Sequence, residues 1–246
     1  MAANGSRERI GNATGFLHLI TEFLDGEKQP DPEDEQIAED CYLIAQEVVD
    51  DDVDVAAMVV MAGIKMSHLV PDQPIWRKSA VLSAILLAEK VGGYSPETTV
   101  QLDEQVEGLH TAFPDDAYLE EHWYHLIGFR LAAETEANDP SLGLETFERL
   151  KRLTGDENSV SPEHAHPLAY ALFVMCCSAR AYGQERVRNW YADLETLHRR
   201  FPDNPDVESM SAKATAAMHG GFEAAVRERD RQNSLFGKLK RMLFGR

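Results

Sequence analysis

The sequence predicts an all-α chain: an array of antiparallel helical hairpins, about eleven helices long, followed by a short basic amphipathic helix. Three observations carry this. A capping residue followed by Pro recurs at Asp31-Pro32, Ser95-Pro96, Asp139-Pro140, Ser161-Pro162 and Asn204-Pro205, and this pair marks a helix start. Glycines that can take the left-handed conformation mark stops at Gly92-Gly93, Gly155, Gly183 and Gly220-Gly221. Between these marks apolar residues recur at helical spacing, and no alternating run longer than four residues suggests a strand.

The elements follow in order. A first helix is expected near 8–25 and a second over 32–49, starting at Asp31-Pro32. The third, 53–69, and fourth, 75–91, are apolar nearly all round (VAAMVVMAGI and AVLSAILLA), so both are expected to be buried on most sides and to form the centre. The fifth, 96–112, opens at Ser95-Pro96 and the sixth covers 116–136. The seventh, 140–153, ends before Gly155; the eighth, 162–182, runs from Ser161-Pro162 to Gly183. In the ninth, 184–200, Val187, Trp190, Leu194, Leu197 and Phe201 step 3, 4, 3, 4 along one face. The tenth, 205–218, opens at Asn204-Pro205, and an eleventh is expected over 221–232. The domain reading is a helical body over 1–232, divisible at 1–94 and 95–232, and a separate tail, 233–246.

The 246 residues include 43% hydrophobic ones, a globular proportion. All 42 acidic residues and 20 of the 24 basic ones lie in 1–232, so this body carries −22 while the last 14 residues carry +4. An acidic body argues against nucleic acid as a partner, because phosphate binding needs a basic surface. Lysine is scarce, 8 against 16 Arg, which together with the excess acid fits a protein of a high-salt cytoplasm as well as an ordinary acidic one. Three cysteines, Cys41, Cys176 and Cys177, make no disulfide framework and suggest reduced thiols inside a cell. No apolar run of 18 residues and no signal peptide is visible, so the expected location is cytoplasmic.

Pro-Asp recurs at 30–31, 71–72, 114–115 and 202–203, a spacing near one, one and two units of about 43 residues. Each pair falls where one helix stops and the next begins, so the unit reads as a two-helix hairpin that buries its apolar face only by stacking on neighbours. The stretch Phe201 to Val226, FPDNPDVESMSAKATAAMHGGFEAAV, resembles the tetratricopeptide family. Small residues Ala212 and Ala216 precede a turn at Gly220, aromatic Phe222 follows, and Ala225 lies three residues on. Lys213 departs from the pattern, and the unit is longer than the family's period of about 34 residues. The resemblance covers about one repeat and implies a helical-repeat surface that binds other proteins, with no catalytic residue carried over.

In the tail, NSLFGKLKRMLFGR, Leu235, Phe236, Leu239, Met242 and Leu243 share a helical arc of about 120°, with Lys238, Lys240 and Arg241 outside it. A basic helix with one apolar face has the composition of an interfacial membrane anchor. The tail resembles the C-terminal membrane-targeting helices of the Min-type cell-division ATPases, although no GxxxxGK[ST] loop accompanies it. The eight named tail residues are therefore the candidate membrane- or partner-binding residues, and the membrane would be the anionic inner surface.

The remaining motifs are sparse. His122 and His125 stand one turn apart in EEHWYH; Glu195 and His198 have a Glu-x-x-His spacing that needs a second copy to build a di-metal site. Asp50, Asp52 and Asp54 begin a calcium-loop spacing that fails at Val55 and Met61. His164 and His166, beside Pro167, mark a helix boundary, and Cys176-Cys177 lies in an apolar helix with no activating base. No GxSxG elbow is present. The expectation is a non-enzymatic interaction scaffold with no cofactor and no metal, tethered reversibly to a membrane. One alternative is a soluble homo-oligomer whose tail packs on the body or docks a partner. The other is a helical-bundle metal protein or enzyme around His122 and His125.

Overall fold

A helix with apolar residues on every side is stable only where neighbours cover it. The fourth helix sets this demand most sharply, and the computed structural model shows how it is met. The structure describes residues 2–29, 35–91, 95–136 and 140–220. Among them are ten helices of at least thirteen residues and one single turn, with no strand: α1 Ala2–Leu24, α2 Glu35–Val48, α3 Val53–Leu69, α4 Pro74–Val91, α5 Pro96–Ala112, α6 Ala117–Glu136, α7 Pro140–Thr154, α8 Ala165–Cys177, the turn α9 Ala179–Tyr182, α10 Gln184–Arg200 and α11 Pro205–Gly220. The expected helix over 221–232 and the tail lie outside the described residues. The chain divides into two units, Met1–Asp139 and Pro140–Arg246.

In the first unit α4 packs against α2, α3, α5 and α6. Its buried residues include Trp76, Ala80, Val81, Ala84, Leu87, Ala88 and Val91, and two serines join them. Ser83 and Ser67 bury their hydroxyls by bonding the carbonyl four residues back, at 2.7 and 2.9 Å. Small residues let α2, α3 and α4 approach closely: a Cβ on Gly63 would stand 2.9 Å from Cys41 Sγ and 3.3 Å from Ala80 Cβ. Burial pushes the Cys41 thiol up to about 12, so it behaves as a small hydrophobe there. α1 covers α2 and α3 with Ala13, Phe16, Ile20 and Phe23. Each helix thus touches the next and the next but one, from α1 to α6.

The described Pro-Asp pairs sit in one recurring corner. The residue before each is a helix C-cap of nearly constant conformation: φ −123°, ψ 68° at Val70, −133°, 65° at Phe113 and −125°, 60° at Phe201. Each cap N–H still reaches back four residues, to Met66, Leu109 and Leu197, at 2.9–3.1 Å. Its carbonyl then accepts from the residue three on, Gln73, Asp116 or Asn204, at 3.1–3.2 Å. That residue caps the next helix. Asp116 Oδ1 accepts from Leu119 N–H at 3.1 Å, and Asn204 Oδ1 from Asp206 and Val207 at 3.0 and 3.1 Å. Gln73, one methylene longer, instead holds the Trp76 indole N–H at 3.1 Å.

Several expected boundaries shift. Ser95 stands at the N-cap of α5, but its hydroxyl lies 2.7 Å from that of Thr98 and makes no capping bond. The eighth helix starts at Ala165, three residues late. A start at Pro162 would leave Pro167 in the helix interior, without an N–H for Glu163; a start at Ala165 puts Pro167 in the first turn, where that N–H has no intrahelical partner. The same helix breaks at Ser178, whose hydroxyl bonds Val174 O at 2.8 Å, and Ala179–Tyr182 forms a separate turn.

In the second unit α8 plays the part that α4 plays in the first. Leu168, Ala169, Leu172, Val174, Met175 and Cys176 are buried as it packs on α7, α10 and α11. α10 buries Val187, Trp190, Leu194 and Leu197 as its spacing predicts. α11 corrects the register of the small residues: Ala212 and Ala216 are exposed, and Val207, Ser211, Ala214 and Ala217 form the buried row against its neighbours. Gly155, at φ +89°, ends α7; a Cβ there would press on Ser159 Oγ at 2.9 Å.

Two glycine substitutions test the close approach of α2, α3 and α4. Gly108→Ala, on an open face of α5 with no atom near its added Cβ, should raise stability by about 0.5–1 kcal/mol through helix propensity. Gly63→Ala has the same propensity gain but should lower stability, because overpacking costs about 1–3 kcal/mol. Urea unfolding of both variants measures the contrast; equal stabilisation would mean the three helices have room to spare.

Candidate interaction surface

The even-numbered helices of the first unit lie side by side, α2 with α4 and α4 with α6. Their exposed edges carry unusual side chains. On α4 the half-buried or exposed residues Lys78, Leu82, Ile85 and Glu89 step 4, 3, 4. On α6 the half-buried Tyr118, His122, His125, Phe129 and Ala132 step 4, 3, 4, 3. A row at this spacing is one helix face.

Contacts join these rows into one surface. Lys78 Nζ lies 5.2 Å from the centroid of the Tyr118 ring, a cation–π contact from α4 to α6. Tyr118 stacks on His122 at 4.0 Å, and His122 meets His125 edge-on at 6.2 Å. Partial burial lifts the Tyr118 phenol above its usual range, and the neighbouring Glu121 and Tyr42 add to the rise. Tyr42 is half-buried on α2, so the strip reaches all three helices.

Two polar devices position it. At one end, Arg77 ties two corners together: its Nη1 donates to Pro71 O at 2.7 Å, its Nε to Asp116 Oδ2 at 2.7 Å, and its guanidinium lies 4.3 Å from the Phe113 ring centroid. Arg77 precedes Lys78, and Asp116 lies two residues before Tyr118, so this tie sets the register in which Lys78 meets Tyr118. Burial opposes ionisation of Asp116, but the Arg77 bond, the Leu119 N–H and the charges of Arg77 and Lys78 outweigh it and hold the carboxyl below its usual range. On the opposite face of α6, Asp103 of α5, with its side chain wholly buried, accepts from Trp123 Nε1 at 2.9 Å and from Arg130 Nη1 at 2.9 Å. Arg130 Nε also donates to Glu134 Oε1 at 2.8 Å. Trp123 and Arg130 are two turns apart, so these bonds fix the rotation of α6 and turn Tyr118, His122 and His125 outward.

The other singled-out residues are scattered. His122 Nδ1 is 2.8 Å from Tyr118 O, within the row already described. Asp52 caps α3 through Val55 N–H at 3.0 Å, while Asp50 pairs with Lys90. Glu195 is exposed and His198 half-buried on α10. His164 is the N-cap residue of α8, and His166 in its first turn approaches Asp206 at 3.8 Å. Burial, with Cys177 and Asp193 nearby, drives the Cys176 thiol pKa up. Among the described residues no group of three or more His, Cys, Asp and Glu side chains could hold a metal ion, and no helix is long and apolar enough to cross a membrane. Leu235, Phe236, Lys238, Leu239, Lys240, Arg241, Met242 and Leu243 lie outside the described residues.

Tyr42, Lys78, Leu82, Ile85 and Tyr118 were not singled out by the sequence reading. On α4, a helix expected to be central, the signal was present as a second periodic row, Lys78, Leu82, Ile85 and Glu89. No protein-family model, curated protein or solved structure matches the chain.

The Arg77 tie has a pH signature. A carboxyl with a depressed folded pKa contributes stability that is complete above its unfolded value, about 3.9, and is lost as pH falls through the folded value. Asp116→Asn should cost about 1.5–3 kcal/mol at neutral pH, the range for hydrogen bonds to charged groups. It should also flatten the acid limb of the stability profile. Denaturant midpoints across the acid range check both; an unchanged acid slope would remove Asp116 from the account.

Proposed function

We propose that the chain is a non-enzymatic protein-interaction scaffold whose partner face is the strip on α2, α4 and α6, and whose tail tethers it reversibly to an anionic membrane. The observation that carries this reading is the half-buried row of Tyr118, His122, His125 and Phe129 beside Lys78, Leu82 and Ile85. Aromatic side chains with partly wet, partly apolar surfaces are the residues that dominate protein interfaces. From α1 to α6 each helix packs on the next and the next but one, which supports a stack of helical hairpins in the first unit. Such arrays offer one helix of each hairpin to a ligand groove.

The tether rests on sequence. Lys238, Lys240 and Arg241 each add about 1 kcal/mol near an anionic surface, and Leu235, Phe236, Leu239, Met242 and Leu243 supply the apolar face. One such tail is a marginal anchor, so a dimer would hold far better by avidity. On this reading the protein acts in the cytoplasm, peripherally on the inner membrane face.

Co-sedimentation with anionic vesicles tests the tether. The full chain should pellet at low salt and be released at high salt, whereas residues 1–232 and Phe236→Glu should stay in the supernatant. Pelleting of 1–232 as efficiently as the full chain would assign membrane binding elsewhere, and no pelleting of the full chain would remove the tether.

A further inference from the structure

The unit boundary exposes a charge segregation that whole-chain composition hides. Residues 1–139 contain 28 acidic and 8 basic residues, a formal charge of −20, whereas residues 140–246 contain 14 acidic and 16 basic ones, a charge of +2. A surface adapted to high salt would carry its acid on both units, because both face the same solvent. The excess belongs to the unit that bears the strip.

Acid also rims the strip itself. Glu89 ends the row on α4 and is exposed; Glu121 is half-buried beside Tyr118 and acts on its phenol; Glu39 is exposed on α2, and Asp115 is exposed at the corner before α6. Lys78 is the cation within the surface, and the Tyr118 ring engages it. An apolar and aromatic centre with an anionic rim and field complements one kind of ligand: a segment with apolar side chains on one side and cations around them.

We infer that the strip on α2, α4 and α6 is a docking site for a basic amphipathic helical segment of a partner protein. This rests on the reading of the strip as the partner face and names the chemistry that face selects. The partner's apolar row lies over Leu82, Ile85, Tyr118 and Phe129, and its Lys or Arg side chains reach Glu89 and Glu121. The field of the first unit steers such a segment in and repels nucleic acid.

The test uses the full chain and three synthetic peptides: an amphipathic Leu–Lys helix, the same helix with Glu for Lys, and a Lys–Ser peptide of equal charge with no apolar face. Binding is read by fluorescence anisotropy at about physiological salt, where exposed charge alone is screened beyond about 8 Å. The Leu–Lys helix should bind, and the other two should bind at least about tenfold more weakly, a difference near 1.4 kcal/mol. Ile85→Glu should weaken the Leu–Lys helix about tenfold although it adds negative charge, while Met58→Glu on the exposed side of α3 should not. Glu121→Gln with Glu89→Gln, which leaves the apolar row intact, should weaken it too, and thermal melting confirms that each variant is folded. If the Glu helix binds the strip and responds to Ile85→Glu, the charge class is wrong while the partner face stands. If no peptide responds to Ile85→Glu, the partner face falls with it.

Discussion

The constraint on which the first unit depends is that α4 is apolar nearly all round, with only the narrow row from Lys78 to Glu89 open to water. The other directions around it must be filled, and α2, α3, α5 and α6 fill them. Burying one large apolar side chain contributes about 1.5–3 kcal/mol, and α4 buries Trp76, Val81, Leu86, Leu87 and Val91 together with a row of alanines. The alanines and serines matter as much as the large residues. They let neighbouring backbones come close, as Gly63 does between Cys41 and Ala80. Ser67 and Ser83 add no unsatisfied hydroxyl, because each bonds its own helix.

The strip is what remains after α4 is covered. Four helices cannot close completely around a fifth when α2 and α6 both lie along its even side, so Lys78, Leu82 and Ile85 stay half open between them. The rotation of α6 is then decided from behind by Asp103, Trp123 and Arg130, and its register by Arg77 and Asp116. A largely buried pair of charges such as Asp103–Arg130 gains little net stability against an apolar substitute, but breaking it leaves the buried charge uncompensated. That asymmetry makes such pairs good at specifying one arrangement. Here the arrangement they specify is the one that turns Tyr118 and His122 outward beside Lys78.

Much of this was legible in the sequence because its punctuation is chemical. Cap residues, prolines and glycines located most ends of the ten long helices to within three residues, though α1 starts six residues before the expected position and α8 ends five before it, and the near-uniform apolarity of α3 and α4 marked them as central. The reading failed where two local signals competed. Ser161-Pro162 looks like a helix start, but Pro167 forbids an interior N–H bond there and delays α8 to Ala165. It also failed where burial depends on partners: the exposed Ala212 and Ala216 have the same composition as the buried Ala214 and Ala217. The strip was half legible. His122 and His125 stood out by type and share a face, yet Tyr42, Lys78 and Tyr118 come from three helices, and no spacing within one helix announces a surface shared by three. The Asp103–Arg130 pair spans 27 positions and has no local signature. The charge segregation needed the unit boundary before it could be counted.

The claim that α4 is the axis of the first unit is tested most directly by native-state hydrogen exchange on the full chain, read residue by residue. If α4 is the element that α2, α3, α5 and α6 cover, its amides from Trp76 to Ala88 exchange slowest within residues 1–139, and only through global opening of that unit. The faces of α2 and α6 that bear the strip open at lower free energy. Exchange of α4 through local fluctuations, faster than that of α2 or α6, would contradict the account, and the strip would then need another framework to hold it.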